Sequence, residues 1–241
     1  MKQKISILML LMLLFTALMP LTAQAAGNPF LITGKNVIVE EVKDGVNVYV
    51  FARLENRGKK TLSFESGRFD VYNKEGELLG SDEHPAVFAA KYLTREKYGY
   101  LRAYVSLEGV KAEEIGECTL TVEGKEYKGK AKIVRLDCET QYEENVRYGG
   151  WLTYDYMGVK VTNNTDAVLY DMEAVIVLCA EDGTILNIGY AFMGLLNDIG
   201  LHPGSTVTMR DINADSMQEA YKKAGYEVSY MDAIVYVEIY G

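Results

Sequence analysis

The residues best suited to chemistry in this sequence are aromatic side chains grouped around its single tryptophan. Tyr148, Trp151, Tyr154 and Tyr156 lie close together, and Tyr142 precedes them. Exposed aromatic rings recur in protein interfaces and on surfaces that stack flat ligands. We therefore predict a ligand-binding surface at Tyr148, Trp151, Tyr154 and Tyr156. The alternative is that these rings pack between two domains that meet beside them in the sequence.

No arrangement of nucleophile, base and acid typical of an enzyme occurs in the sequence. The two histidines, His84 and His202, each precede proline, which favours an extended loop conformation. Neighbouring carboxylates point to opposite faces of a strand, so the adjacent acidic pairs are interpreted as solubility charges: Asp82-Glu83, Glu113-Glu114 and Glu143-Glu144. Zinc-ligand spacing and phosphate-binding glycine loops are also lacking. The sequence therefore predicts no enzymatic activity, no metal site and no cofactor.

The three cysteines do not form the framework of a disulfide-rich protein. Because their number is odd, at least one thiol is free or pairs between chains. Cys179 ends a strongly apolar stretch, which predicts a buried core thiol. Cys118 and Cys138 could pair, but their spacing does not decide it.

The N-terminus has the features of a secretory signal peptide. Lys2 and Lys4 are followed by an apolar run, a helix-breaking Pro20 and the small residues Ala23-Gln24-Ala25. We predict a signal peptide over residues 1–25, cleaved after Ala25 or the next residue, and a secreted, extracellular protein without a lipid or wall anchor. An uncleaved membrane anchor is the alternative, but the run is short for a bilayer.

The charge balance argues against two classes of partner. The chain carries 25 Lys+Arg and 34 Asp+Glu, a net charge of −9, and loses two more lysines with the signal peptide. Nucleic acids and anionic lipid surfaces select basic proteins. We therefore expect neither nucleic acid nor, after signal cleavage, a membrane as partner, and an extracellular protein or surface polymer in their place.

Short segments rich in β-branched and aromatic residues dominate the remaining chain, which predicts an all-β fold. In one of them, Val46 to Leu54, apolar residues alternate with others, as in a strand packed on one side. The segment Lys130 to Leu136 is interpreted as the last strand of a first domain. One helix is predicted, Asp215 to Ala224, with Asp215 as its N-cap and Gly225 just beyond its end.

The second half of the chain repeats the pattern of the first at a spacing of 107 residues. The shift superimposes Asn56 on Asn163 and carries alternating strands, a polar turn and an acidic glycine turn with it. We predict two tandem immunoglobulin-like β-sandwich domains at 30–135 and 136–241, with the short helix in the second. One large sandwich is the alternative.

One position breaks the repeat. Asp155 falls on the inward phase of its strand, where the first copy has Val48. Either a β-bulge shifts the register there or a carboxylate is partly buried. The bulge is the favoured interpretation.

Both copies resemble a family of exported bacterial domains. The segment Phe69 to Gly76 (FDVYNKEG) resembles the motif of the FxLYD domain, and Leu54-Glu55-Asn56 resembles the strand end before it. In the second copy, 161–183 and the Leu201-His202-Pro203-Gly204 turn are similar, although Cys179 replaces the motif tyrosine. The first copy has no Pro-Gly turn. The resemblance implies immunoglobulin-like sandwiches without enzymatic activity.

These observations lead to two hypotheses about function. The first is a secreted, non-catalytic binding or interaction protein made of two such domains. The second is a carbohydrate-binding module that uses an aromatic platform around Trp151.

Overall fold

The described chain is all-β, as the sequence predicts. A computed structural model describes residues 30–148, 152–193 and 200–239. The predicted signal peptide and Trp151 lie outside them. These ranges contain fifteen strands, one short 3-10 helix and one α-helix, and neither helix is long and apolar enough to cross a membrane.

The first half of the chain forms two sheets. Sheet A has the order β1-β2-β7-β5, and sheet B has the order β4-β3-β8, with β6 also pairing with β3. A 3-10 helix, Ala112–Glu114, connects β7 and β8. The strands are β1 (Leu31–Val42), β2 (Gly45–Glu55), β3 (Leu62–Asn73), β4 (Leu78–Asp82), β5 (Ala86–Phe88), β6 (Tyr92–Leu93), β7 (Tyr98–Glu108) and β8 (Ile115–Glu126).

The second half forms two further sheets. Sheet C has the order β13-β12-β15-β9, and sheet D has the order β10-β11-β14. Helix α1 (Asp215–Lys223) lies between β14 and β15, where the first half has its 3-10 helix. The strands are β9 (Lys132–Leu136), β10 (Cys138–Tyr148), β11 (Leu152–Thr162), β12 (Met172–Cys179), β13 (Ile185–Met193), β14 (Thr206–Asn213) and β15 (Tyr230–Ile239).

Strand β9 differs from its expected place. The sequence assigned Lys130 to Leu136 to the first domain, but β9 pairs with β15 over Val235↔Leu136 to Ile239↔Lys132. The chain therefore crosses from the first pair of sheets to the second between β8 and β9, before the predicted boundary. This extra edge strand widens sheet C.

Sheets A and B enclose the first core. On β2, Val46, Val48 and Val50 are buried on one face, and the same alternation places Phe69 and Val71 of β3 opposite them. Burial of such side chains stabilises by about 1.5–3 kcal/mol each. The inward faces of β7 and β8 complete this core.

Sheet C is buried on both faces. Every residue from Ala174 to Cys179 of β12 is at most 3% exposed. One face packs on sheet D, whose inward residues on β11 include Met157 and Val159. The other face packs on the outer face of sheet A, since Phe51 and Tyr100 belong to the same buried cluster. The four sheets therefore stack in the order B, A, C, D.

Polar contacts also join sheets A and C. Asp232 of β15 accepts hydrogen bonds from the hydroxyls of Tyr98 (3.0 Å) and Tyr100 of β7. Arg102 of β7 donates to the Ile188 carbonyl of β13 at 2.8 Å. Arg135 of β9 donates to the Tyr98 carbonyl. Because these groups are partly buried and paired, they fix how the two halves face each other.

The repeated asparagines perform the same structural task in both halves. Asn56 and Asn163 are fully buried. Asn56 Nδ2 donates to the carbonyls of Lys60 and Leu93, each at 2.7 Å, and Asn163 Nδ2 donates to those of Ala167 and Leu201, each at 2.7 Å. Each asparagine therefore clamps two loops at the end of one of the equivalent strands β2 and β11. The name Asn clamp is used for this arrangement below.

The turn closed by each Asn clamp is conserved in shape but not in sequence between the halves. Gly204 has a φ of 75° and its N–H donates to the Asn163 carbonyl at 2.8 Å. Glu96 has a φ of 60° and donates to the Asn56 carbonyl at 2.7 Å. The first copy thus forms the turn without the Pro-Gly pair, with a non-glycine residue in the left-handed region that favours glycine.

Helix α1 confirms the sequence prediction except at its cap. Met217, Ala220 and Tyr221 form its buried face, and Gly225 has a φ of 87° beyond its end. Asp215, however, lies in the first turn, and the N-cap is Ala214, without a side-chain hydrogen bond. The Asp215 carboxylate there complements the positive end of the helix dipole.

Candidate functional site

The predicted tyrosines lie on the outer sheet of the second half. In the β10–β11 pairing, Tyr148 is opposite Leu152, Val146 is opposite Tyr154, and Glu143 is opposite Tyr156. Residues opposite each other in an antiparallel pair belong to the same sheet face. Tyr148, Tyr154 and Tyr156 therefore occupy positions on one face of sheet D.

This face is the one turned away from the core. The alternate residues of β11, Met157, Val159 and Val161, point to the opposite face. They are at most 1% exposed and pack against sheet C. At the hairpin end of the outer face, Leu152 is 53% exposed, and Ile212 of β14, opposite Tyr156, is 39% exposed. The positions Tyr148, Leu152, Tyr154, Tyr156 and Ile212 are called the tyrosine face below.

Tyr156 is less accessible than its strand phase suggests. It is 9% exposed, because the Arg210 guanidinium lies over its ring at 4.9 Å from the ring centre. Arg210 is held there by an ion pair with Glu143 at 3.2 Å. Tyr154 is half-buried. The accessible part of the tyrosine face is therefore centred on Leu152 and Tyr154. Tyr156 lies beneath Arg210 at its edge.

A polar network beneath the sheet holds this end of β11. The Asp155 carboxylate accepts hydrogen bonds from the Tyr142 hydroxyl (3.1 Å), Gln218 Nε2 of α1 (3.1 Å) and the Asn145 backbone N–H (2.8 Å). Asn213 Nδ2 donates to the same Tyr142 hydroxyl at 2.9 Å. Burial raises the pKa of Tyr142 to about 12, so it remains a neutral donor to the carboxylate.

The irregularity at Asp155 has both of the causes considered from sequence. A register shift lies in the partner strand β10 between Glu143 and Val146, and Asn145 has a φ of 54° there. The bulged Asn145 N–H binds the Asp155 carboxylate, which is itself partly buried. The bulge and the carboxylate are thus two parts of one feature that fixes the β10–β11 hairpin end.

The aromatic residues that pack between the halves are different ones. Phe51, Phe88 and Tyr100 of sheet A are at most 6% exposed in that contact. Tyr98 binds Asp232 across it. Tyr154 and Tyr156 lie on the face of sheet D that points away from sheet C, and Tyr148 occupies a strand position of that same face.

The thiols and histidines are arranged as structural residues. All three cysteines are free, and Cys179 is buried as predicted. Burial raises the pKa of the Cys118 thiol to about 11, which disfavours the nucleophilic thiolate. His84 and His202 are exposed beside their prolines. Across 30–148, 152–193 and 200–239, no group of three His, Cys, Asp or Glu side chains is placed to hold a metal ion.

Sequence reasoning missed two members of the tyrosine face and a second surface feature. Leu152 and Ile212 could have been found, since an apolar residue on the outward phase of an otherwise half-polar strand is a detectable signal. A groove lined by Arg53, Arg57, Lys97 and Tyr98 was also missed, because its members come from two strand ends that only the fold brings together.

Comparisons with known proteins leave the family open. No model of a known protein family matches the chain, and no curated protein sequence matches it. The resemblance to the FxLYD domain therefore stays a prediction.

Proposed function

We propose that this protein is a non-catalytic binding protein of two tandem immunoglobulin-like, FxLYD-type domains that acts outside a bacterial cell. Its partner is an extracellular protein, which binds at the tyrosine face of sheet D. The observation that supports the proposal is that the equivalent face in the first half is covered by another sheet. There the outer face of sheet A, with Phe51 and Tyr100, forms a buried protein contact.

The tyrosine face has the composition of an interface centre. Tyrosine and arginine with exposed aliphatic neighbours characterise the residues that contribute most to protein–protein binding. Tyr154 and Leu152 supply accessible apolar surface, and Arg210 supplies a positioned charge at its edge. The Asp155 network holds the strand end, which reduces the entropy lost on binding.

Site-specific photo-crosslinking on the cell surface tests this proposal. A benzophenone amino acid replaces Leu152 (53% exposed) in one variant and Leu78 of sheet B (51% exposed) in a matched control. We expect a discrete crosslinked protein adduct from position 152 and none from position 78. Adducts of equal yield at both positions, or none at 152, would contradict the proposal.

A carbohydrate-binding module is the second candidate, supported by the aromatic group around Trp151. In that case Trp151→Ala weakens glycan binding on an array and leaves the melting temperature nearly unchanged, since stacking on a sugar needs an exposed ring. A lower melting temperature would instead assign Trp151 to the protein interior. Glycan binding without a crosslinked protein at position 152 would favour this candidate over the first.

A further inference from the structure

A second surface feature lies in the first half, at one end of sheet A. The end of β2 and the beginning of β7 enclose a groove of about 400 Å³, lined by Arg53, Glu55, Asn56, Arg57, Glu96, Lys97 and Tyr98. The size suits a small ligand or one unit of a polymer. It is called the cationic groove below.

The walls of the groove are held in place by backbone hydrogen bonds of Asn56, the residue of the first Asn clamp. The Asn56 N–H donates to the Lys97 carbonyl at 3.1 Å, and the Glu96 N–H donates to the Asn56 carbonyl at 2.7 Å. Tyr98 is fixed through its hydroxyl by Asp232. The lining is therefore pre-organised, which lowers the entropy cost of binding.

Positive charge is concentrated here in an otherwise acidic chain. Three cations and two carboxylates line the groove. Glu55 lies 3.0 Å from Arg57 and 3.2 Å from Arg53, so one carboxylate serves two guanidinium groups, and Glu96 lies 3.0 Å from Arg95, outside the lining. Among the residues that the structure describes, Lys97 has no carboxylate within ion-pair distance. An incoming anion would therefore meet the charge of Lys97 and the excess of two guanidinium groups over the single Glu55 carboxylate.

Arg53 is oriented toward the groove by stacking. Its guanidinium carbon lies 3.7 Å from the centre of the Tyr98 ring, and its side chain is 38% exposed. Its buried Nε lies 3.2 Å from Glu55 Oε1, an ion-pair distance, but the N–H is not directed at that oxygen and has no hydrogen-bond acceptor in the described chain. The exposed part of the guanidinium, and not this buried nitrogen, is the part that an external oxygen can reach.

The second half serves as an internal control for what the fold requires. It has the same Asn clamp at Asn163. Three of the positions equivalent to the groove lining are uncharged there, and a lysine replaces the stacked arginine. They are Lys160 for Arg53, Asn164 for Arg57, Ser205 for Lys97 and Thr206 for Tyr98. The turn therefore forms without these cations, so their presence in the first half is not needed for folding.

We propose that the cationic groove binds an oxyanion, the carboxylate or phosphate group of an extracellular ligand, through Arg53, Arg57 and Lys97. Guanidinium and ammonium groups form their strongest hydrogen bonds with such oxygens. The proposal is independent of the tyrosine face, which lies on another sheet.

An NMR titration of the mature protein tests it. Inorganic phosphate or acetate is added to ¹⁵N-labelled protein at neutral pH, with sodium chloride holding the ionic strength constant. We expect saturable shifts of the amides at 53–57 and 96–98 and none at 160–164 or 205–206. A response to only one of the two anions identifies phosphate or carboxylate as the bound group. No saturable response to either would overturn the proposal.

Paired variants separate a site from a general charge effect. Arg57→Gln with Lys97→Gln should weaken binding at least about tenfold, as expected when charge-assisted hydrogen bonds are lost. The matched control, Arg68→Gln with Lys125→Gln, removes the same charge from cations that are paired with Asp70 and Glu65 elsewhere on this half. It should retain the affinity. Equal losses in both double variants, with both spectra folded, would also overturn the proposal.

Discussion

Sheets A and D occupy the same place in the repeat, yet their outer faces have different surroundings. The outer face of sheet A, with Phe51 and Tyr100, is buried against sheet C, whereas the outer face of sheet D exposes Leu152 and Ile212. Sheets B and C differ in the same way. The two halves thus share one two-sheet framework but differ in the residues on the outward phase of its strands.

The difference is encoded in single positions of the equivalent strands β3 and β12. Arg68 and Asp70 alternate with core residues on β3, and their counterparts on β12 are Val175 and Val177. A strand with alternating polar and apolar residues belongs to a sheet with one solvent-exposed face, and a continuous apolar run belongs to a sheet buried on both faces. The outward phase of the repeat therefore decides which surfaces pack within the molecule and which stay available.

The largest expected effect comes from exchanging these outward residues. Val177→Asp places a carboxylate in the fully buried contact between sheets A and C, and should destabilise by about 4 kcal/mol or more. The reciprocal Asp70→Val removes a partly buried carboxylate that is bound by Arg68 and Ser81, and should cost less, about 1–2 kcal/mol. Urea denaturation compares the two. Similar losses in both variants would break the distinction between the two sheets.

The next expected effect concerns a feature that the two halves share, the Asn clamps. Asn56→Ala or Asn163→Ala leaves one buried and one partly buried carbonyl without their 2.7 Å donor, which should cost about 3 kcal/mol in either half. The exposed neighbour Asn164→Ala should change stability by less than about 0.5 kcal/mol. Thermal unfolding measures all three. A clamp that can be removed from one half without loss would show that the repeat is not equivalent there.

The smallest expected effect concerns the turns at the Asn clamps. Glu96→Gly should stabilise by up to about 1 kcal/mol, because glycine adopts the φ of 60° without strain. Gly204→Ala should destabilise by about 1 kcal/mol, since a Cβ meets no atom within 4 Å and only backbone strain remains. Chemical denaturation resolves both shifts. The same sign for both substitutions would contradict the equivalence of the turns.

The sequence predicts the strands, the helix and the repeat because periodic burial and turn residues are local signals. Val46 to Leu54 alternates as β2 does, and the run ending at Cys179 is apolar because β12 is covered on both faces. The pairing of β9 with β15 was not predictable, since a five-residue edge strand carries no signal for its partner. The aromatic residues that pack between the halves, Phe51, Phe88 and Tyr100, were also missed, because strand periodicity does not show which other sheet covers a face.

The candidate site was predictable only in part. Strand phase places Tyr154 and Tyr156 on one outward face, but it does not show that Arg210 covers Tyr156. Arg210 comes from β14, more than fifty residues away in the chain. The cationic groove was even less predictable, because the pairing of β2 with β7 and the backbone hydrogen bonds of Asn56 bring Arg53 and Lys97 together.

Hydroxyl-radical footprinting of the protein, read out by mass spectrometry, tests the central comparison most directly. Radicals modify aromatic and aliphatic side chains in proportion to their exposure, so one experiment compares the equivalent faces of sheets A and D. We expect rapid modification at Leu152 and Tyr154, and protection of Phe51, Phe88 and Tyr100. Modification of Phe51 and Tyr100 as fast as that of Leu152 would show that sheet A is not covered and would contradict the account.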